Sequence, residues 1–107
     1  MGVPITEQEV VVVLSVEGLS DRSKMERHLR REGLHPIEGE PFAYLGSTTT
    51  DPIRTLLFIF DGIKKAIHKG GFVDCDMMVS IGEYPMEAYR FDRERDEFVA
   101  IAMDSEA

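Results

Sequence analysis

The 107-residue sequence predicts an α+β domain whose elements run β-α-β-β-α-β, followed by a C-terminal extension. Three observations carry that expectation. Residues 10–16, all Val or Leu but for Ser15, are mostly β-branched and apolar on both faces of an extended chain. Residues 51–70 repeat apolar side chains at helical spacing between clear start and stop signals. Residues 74–81 alternate apolar and polar side chains with the period of a strand.

In chain order, residues 1–8 read as a loose arm. Val10–Val16 then forms a central strand, with Val10, Val12, Leu14 and Val16 on one face and Val11, Val13 and Ser15 on the other. Gly18-Leu19-Ser20-Asp21 breaks it. A first helix follows over 21–32, with a Ser23-x-x-Glu26 capping box or Ser20 as its cap and Gly33 as its stop. Its apolar side is thin: Met25 and Leu29, with His28 at the edge. Leu34–Glu38 reads as a short edge strand, because Pro36 has no N–H for a ladder. Phe42–Gly46 is the next strand, and Ser47–Thr50 a polar loop.

Asp51 is a good N-cap for the second helix, and Pro52 occupies the first turn, where a missing N–H costs nothing. Lys64, Lys65, His68 and Lys69 load the C-terminal end, where the helix dipole favours cations. Gly70-Gly71 ends the helix. Ile53, Leu56, Leu57, Phe60, Ile63 and Ile67 fall on one face, which is expected to be buried. In the strand at 74–81, Cys75, Met77, Val79 and Ile81 share a face. Glu83–Glu87 is a turn or a short helix. Tyr89–Phe91 and Phe98–Ala102 pair as strands around a charged tip at 92–96, and 103–107 is a frayed end.

Length and composition fit one soluble domain over 1–107, large enough to bury a core without staples. One cysteine rules out an internal disulfide and points to a reducing, cytoplasmic setting. The first residues lack a basic start and apolar run, and the longest apolar stretches are too short to span a bilayer, so neither export nor a membrane is expected. Net charge is −8, divided unevenly: about −1 over residues 1–71 and −7 over 72–107. That balance argues against nucleic acid as the main partner. One local exception is the first helix, which carries Arg22, Lys24, Arg27, Arg30 and Arg31 within ten residues.

Four constellations could carry chemistry. Lys24, Arg27, Arg30 and Arg31 could grip phosphates, although the plainer reading is a solvated helix face balanced by Asp21, Glu26 and Glu32. No aromatic residue is interleaved to stack a base. Ser47, Thr48, Thr49 and Thr50 precede a helix N-terminus and could hold an anion or a small ligand. No Walker lysine or G-x-G-x-x-G accompanies them, and a turn rich in local side-chain caps is the plainer reading. Asp74 and Asp76 project from one face of a strand and could share a cation, or could simply face water. Phe58 lies opposite the apolar stripe of the second helix and could mark a partner surface. The three histidines are widely separated and there is no C-x-x-C, so neither a metal nor another cofactor is expected. Cys75 should be buried and inert. No catalytic group is identified.

The element order is the split βαβ, or ferredoxin-like, arrangement, with both helices on one face of an antiparallel sheet. Its other face carries Val11, Val13, Met78 and one side of Phe42–Leu45, too apolar to stay bare. The C-terminal hairpin or a second subunit, most simply a twofold dimer, should cover it. From Val10 to about Phe91 the chain resembles two ferredoxin-like families. Val10–Val16, the basic first helix, Ser47-Thr48-Thr49, Met77-Met78-Val79, Glu83-Tyr84 and Tyr89-Arg90-Phe91 resemble GhoS-type antitoxin endoribonucleases. That resemblance implies RNA cleavage, with Arg27 or Arg30 as candidates. Glu32-Gly33-Leu34, the turn around Gly70 and Ser80-Ile81-Gly82 are similar to a small thiamine-binding family, which implies a metabolite ligand. The leading expectation is a non-catalytic binding or regulatory domain, acting as a homodimer with a small ligand or protein partner. The alternative is an endoribonuclease or RNA-binding protein that uses the basic face of the first helix.

Overall fold

A computed structural model describes residues 7–101. Eight elements follow one another: β1 (Gln8–Glu17), α1 (Arg22–Arg31), β2 (His35–Pro36), β3 (Ala43–Thr48), α2 (Pro52–Gly70), β4 (Asp74–Ile81), β5 (Glu87–Asp92) and β6 (Glu97–Ile101). The strands form one antiparallel sheet in the order β2-β3-β1-β4-β5-β6. The class is α+β, as the sequence predicts.

Register follows the hydrophobic pattern. Val12 lies between Tyr44 of β3 and Val79 of β4, so Val10, Val12, Leu14, Tyr44, Cys75, Met77 and Val79 share the face beneath the helices. Met25 and Leu29 of α1, and Ile59, Ile63, Ala66 and Ile67 of α2, close the core over them. Phe60 stacks on Phe98 and meets Tyr89 edge-on, anchoring α2 to the outer strands.

Several expectations need correction. The C-terminal hairpin does not fold over the open sheet face; β5 and β6 extend the sheet beyond β4. That leaves Leu45 exposed on the open face and Val11, Val13 and Met78 only half-buried. Strand β3 runs to Thr48, because Ser47 and Thr48 ladder with Glu9 and Gln8. Those two residues therefore belong to a strand and not to the loop. Glu7 and Gln8 are not a loose arm: Ser47 Oγ donates to Glu7 Oε2 at 2.8 Å, and Gln8 opens β1. The cap of α1 is Asp21, which accepts from the Lys24 amide at 3.0 Å, in place of Ser20 or Ser23. Residues 1–6 and 102–107, including Ala102 and the ends expected to be loose, lie outside the described residues.

The buried face of α2 is rotated from the expected stripe. Ile53 and Leu57 face solvent, while Thr55, Ile59, Gly62, Ala66 and Gly70 turn inward with Ile63 and Ile67. The cause is the helix–helix contact. Gly62, Ala66 and Gly70 recur every four residues and present almost no side chain to α1. A Cβ at Gly70 would sit 3.0 Å from the Asp21 carbonyl and 3.1 Å from Met25 Cβ; one at Gly62 would sit 3.3 Å from Glu32 Cγ. The N-terminal end of α1 thus rests on the C-terminal end of α2, and the two helices run side by side and antiparallel.

Candidate functional site

The two flanks of α1 treat their charges differently. On the sheet side, Glu26 Oε2 accepts from the buried Tyr44 hydroxyl at 2.7 Å and from Arg22 Nε at 3.0 Å. Burial pushes the Glu26 pKa up, but the hydrogen bonds from Tyr44 and Arg22 outweigh it and hold the carboxyl below its ordinary value. Burial first, then the neighbouring carboxylate, pushes the Tyr44 phenol well up, which keeps it a donor. The Arg22 guanidinium also lies 4.0 Å above the Phe42 ring. These residues fasten α1 to β3.

The opposite flank faces α2. Lys24, Arg27 and Arg31 of α1 and Lys69 of α2 line a groove of about 330 Å³, with His28 in its wall. None of these four cations joins an ion pair among the described residues. The His28 side chain is only 11 % exposed, and its Nε2 stands 3.6 Å from Glu32 Oε2, beyond a hydrogen bond. Both ring nitrogens are buried without a partner. The imidazole is thus enclosed in the wall of the groove, beside four cations that lack an ion pair among the described residues. Arg30, grouped with the other three in sequence, does not line it; it lies near enough to Glu26 to feel its charge.

A second concavity lies at the other end of the helix pair. Val10, Leu34 and Ile59 floor a cleft of about 240 Å³, with Glu32, Ser47, Thr48, Thr55 and Phe58 around it. Two of the four polar-loop residues and Phe58 are therefore brought together. Thr49 and Thr50 are not in the lining. The hydroxyls are largely spent locally: Thr48 Oγ1 and Thr55 Oγ1 are 3.0 Å apart, Thr48 Oγ1 accepts from the Thr50 amide, and Thr55 also reaches the Thr50 carbonyl. Asp51 takes the Arg54 amide at 3.0 Å, so a side chain already occupies the anion position of α2. The loop caps a helix and presents no open anion cradle.

Elsewhere the chemistry is closed. Asp76 receives a two-pronged contact from Arg90, at 2.9 and 3.2 Å, which accounts for that carboxylate. No cluster of three or more potential metal ligands occurs among the described residues. Cys75 is buried, and burial pushes its thiol up to about 12, so the sulfur stays protonated and unreactive. No helix among the described residues is long and apolar enough to cross a membrane.

The sequence placed Lys24, Arg27 and Arg31 correctly on one helix face, but it missed Lys69 and His28 as their neighbours. The available signal was the four-residue spacing of Gly62, Ala66 and Gly70, which announces a close helix partner on that side of α2. No protein family, curated protein or solved structure matches the chain.

Proposed function

We propose that this chain is a small cytoplasmic binding module, without catalytic machinery of its own, that holds a phosphate-rich strand, RNA foremost, in the groove between its two helices. The observation that carries the reading is the gathering of Lys24, Arg27, Arg31 and Lys69, none of them ion-paired among the described residues, along one groove of a chain whose net charge is −8. An acidic protein that leaves four cations together without counter-charges has a local field opposite to its average. Arg and Lys at that density suit repeated phosphates. Among the described residues no nucleophile with a positioned base stands beside the groove, and the His28 nitrogens are too enclosed to move a substrate proton.

The core is read here as ferredoxin-like. The order β2-β3-β1-β4, with α1 after β1 and α2 after β3, supports that assignment, and β5-β6 is an added hairpin.

The test is fluorescence anisotropy of an end-labelled single-stranded RNA over a salt series, with the RNA inspected afterwards on a gel. The expected result is binding at low salt that weakens steeply, with a log–log slope near −3 for about four phosphate contacts, and intact RNA. Absence of binding at low salt would remove the reading. Cleavage that vanishes in Arg27→Ala would replace it with a nuclease.

A second reading attaches to the cleft beneath Phe58. Its apolar floor and hydroxyl-bearing wall suit a small, largely apolar metabolite. A thermal-shift screen against a metabolite library, thiamine included, tests it: stabilisation by one compound that is lost in Thr55→Val would support this cleft.

A further inference from the structure

The N-terminal half of α2 turns an apolar face to solvent that the fold leaves bare. Ile53 is 75 % exposed, Leu57 61 % and Phe58 69 %. Large apolar side chains gathered this way mark interaction surfaces. Charge runs through the middle of the patch. Arg54 and Asp61 are one heptad apart, two turns of helix, so they fall along nearly one line, with Leu57 and Phe58 on either side of it.

This arrangement is self-complementary. Arg54 and Asp61 are equidistant from a midpoint between Leu57 and Phe58. An antiparallel second copy of α2, centred on that midpoint, sets Arg54 opposite Asp61 of the second copy and Asp61 opposite its Arg54. The same operation puts Leu57 against Phe58. Reciprocity of this kind is what a twofold interface requires. The present partners of the two charges are local and exposed: Arg54 stands 3.6 Å from Asp51, and Asp61 stands 3.0 Å from Lys65. Exposed pairs within a helix stabilise little, so exchanging them across an interface costs little. The bare sheet face around Val11, Val13 and Met78 offers no such exchange, since its Asp76–Arg90 pair is held by a two-pronged contact between neighbouring strands.

We propose that the protein forms a twofold dimer through the solvent face of α2, with the Leu57–Phe58 patch covered by the same patch of a second copy and the Arg54–Asp61 contacts made twice across the axis. The dimer stands apart from the RNA reading, because Lys24, Arg27 and Arg31 belong to α1 and Lys69 to the last turn of α2.

Charge reversal tests it. Sedimentation equilibrium from micromolar to hundreds of micromolar protein is run on the wild type, Arg54→Asp, Asp61→Arg and the double reversal. Each single reversal sets like charges against each other at both contacts and should weaken the dimer at least about tenfold. The double reversal restores opposite charges and should recover wild-type association. Far-UV circular dichroism shows that each variant is folded, which is expected at such exposed positions. A wild-type monomer across the range overturns the proposal. So does a dimer indifferent to both single reversals, which would place the contact elsewhere, or a double reversal that stays monomeric. RNA binding is read on the same samples by anisotropy, so loss of one property is distinguishable from loss of the other.

Discussion

The sheet-facing flank of α1 and its groove-facing flank are equally rich in charge, yet they do opposite work. On the first, Arg22, Glu26 and Tyr44 satisfy one another, and Arg22 also covers Phe42. Phe42 itself sits at φ +64°, a backbone state that bulky side chains avoid, and its carbonyl accepts the Leu14 amide at 2.8 Å. Strain is held there because the neighbours over-determine it. On the second flank, Lys24, Arg27 and Arg31 have no ion-pair partner among the described residues and meet Lys69 across the groove. The lesson is that the count of charges on a helix says little about their use. What separates structural from functional charge is whether the fold has already supplied a partner.

The comparison can be broken most forcefully from the satisfied side. Tyr44→Ala removes a fully buried ring as well as the donor to Glu26. It should cost about 3–5 kcal/mol in urea unfolding, from the cavity and the lost contacts together. Tyr44→Phe keeps the ring and deletes only the hydroxyl. It should cost about 1.5 kcal/mol, at the low end for a hydrogen bond to a charged group because Arg22 remains.

Acid sharpens the same contrast. The folded-state pKa of Glu26 lies below its ordinary 4.5. Its contribution to stability is therefore complete above pH 4.5 and is lost as pH falls through the lower, folded-state value. Wild-type protein should lose stability over that interval, and Tyr44→Phe should lose less, because its Glu26 has less hydrogen bonding left to lose. Urea midpoints followed downward from neutral pH measure both. Equal acid sensitivity in the two proteins would remove Tyr44 from the account. The smallest expected effect on stability belongs to the groove. Lys24→Ala and Arg31→Ala should each change unfolding free energy by no more than about 0.5 kcal/mol, since nothing in the fold depends on them.

Much of this architecture is legible in the sequence where local chemistry decides. Asp51-Pro52 and Gly70-Gly71 bracket α2 because a cap and a stop act within one turn. The alternation of 74–81 fixes β4 because a strand has only two faces. The misreadings arise where tertiary contact decides. A count of apolar side chains puts Ile53 and Leu57 inside and overlooks Gly62 and Gly70, yet it is the glycines that let α1 approach. Ser47 and Thr48 look like loop residues, and become strand because Glu9 and Gln8 offer them a ladder. The basic face of α1 is visible from spacing alone. Its separation from Arg30, and its completion by Lys69 and His28, depend on how two helices distant in sequence come to rest on each other.

The central claim is that the free flank of α1, and not its paired flank, meets a phosphate-rich partner. The most direct measurement is the salt dependence of single-stranded RNA binding for wild type, Arg31→Ala and Arg22→Ala. The two variants remove the same side chain from the same helix. The account predicts that Arg31→Ala lowers the log–log slope by about 0.7, the value of one lost contact, while Arg22→Ala keeps the wild-type slope. Equal losses from both variants, or a loss confined to Arg22→Ala, would contradict it.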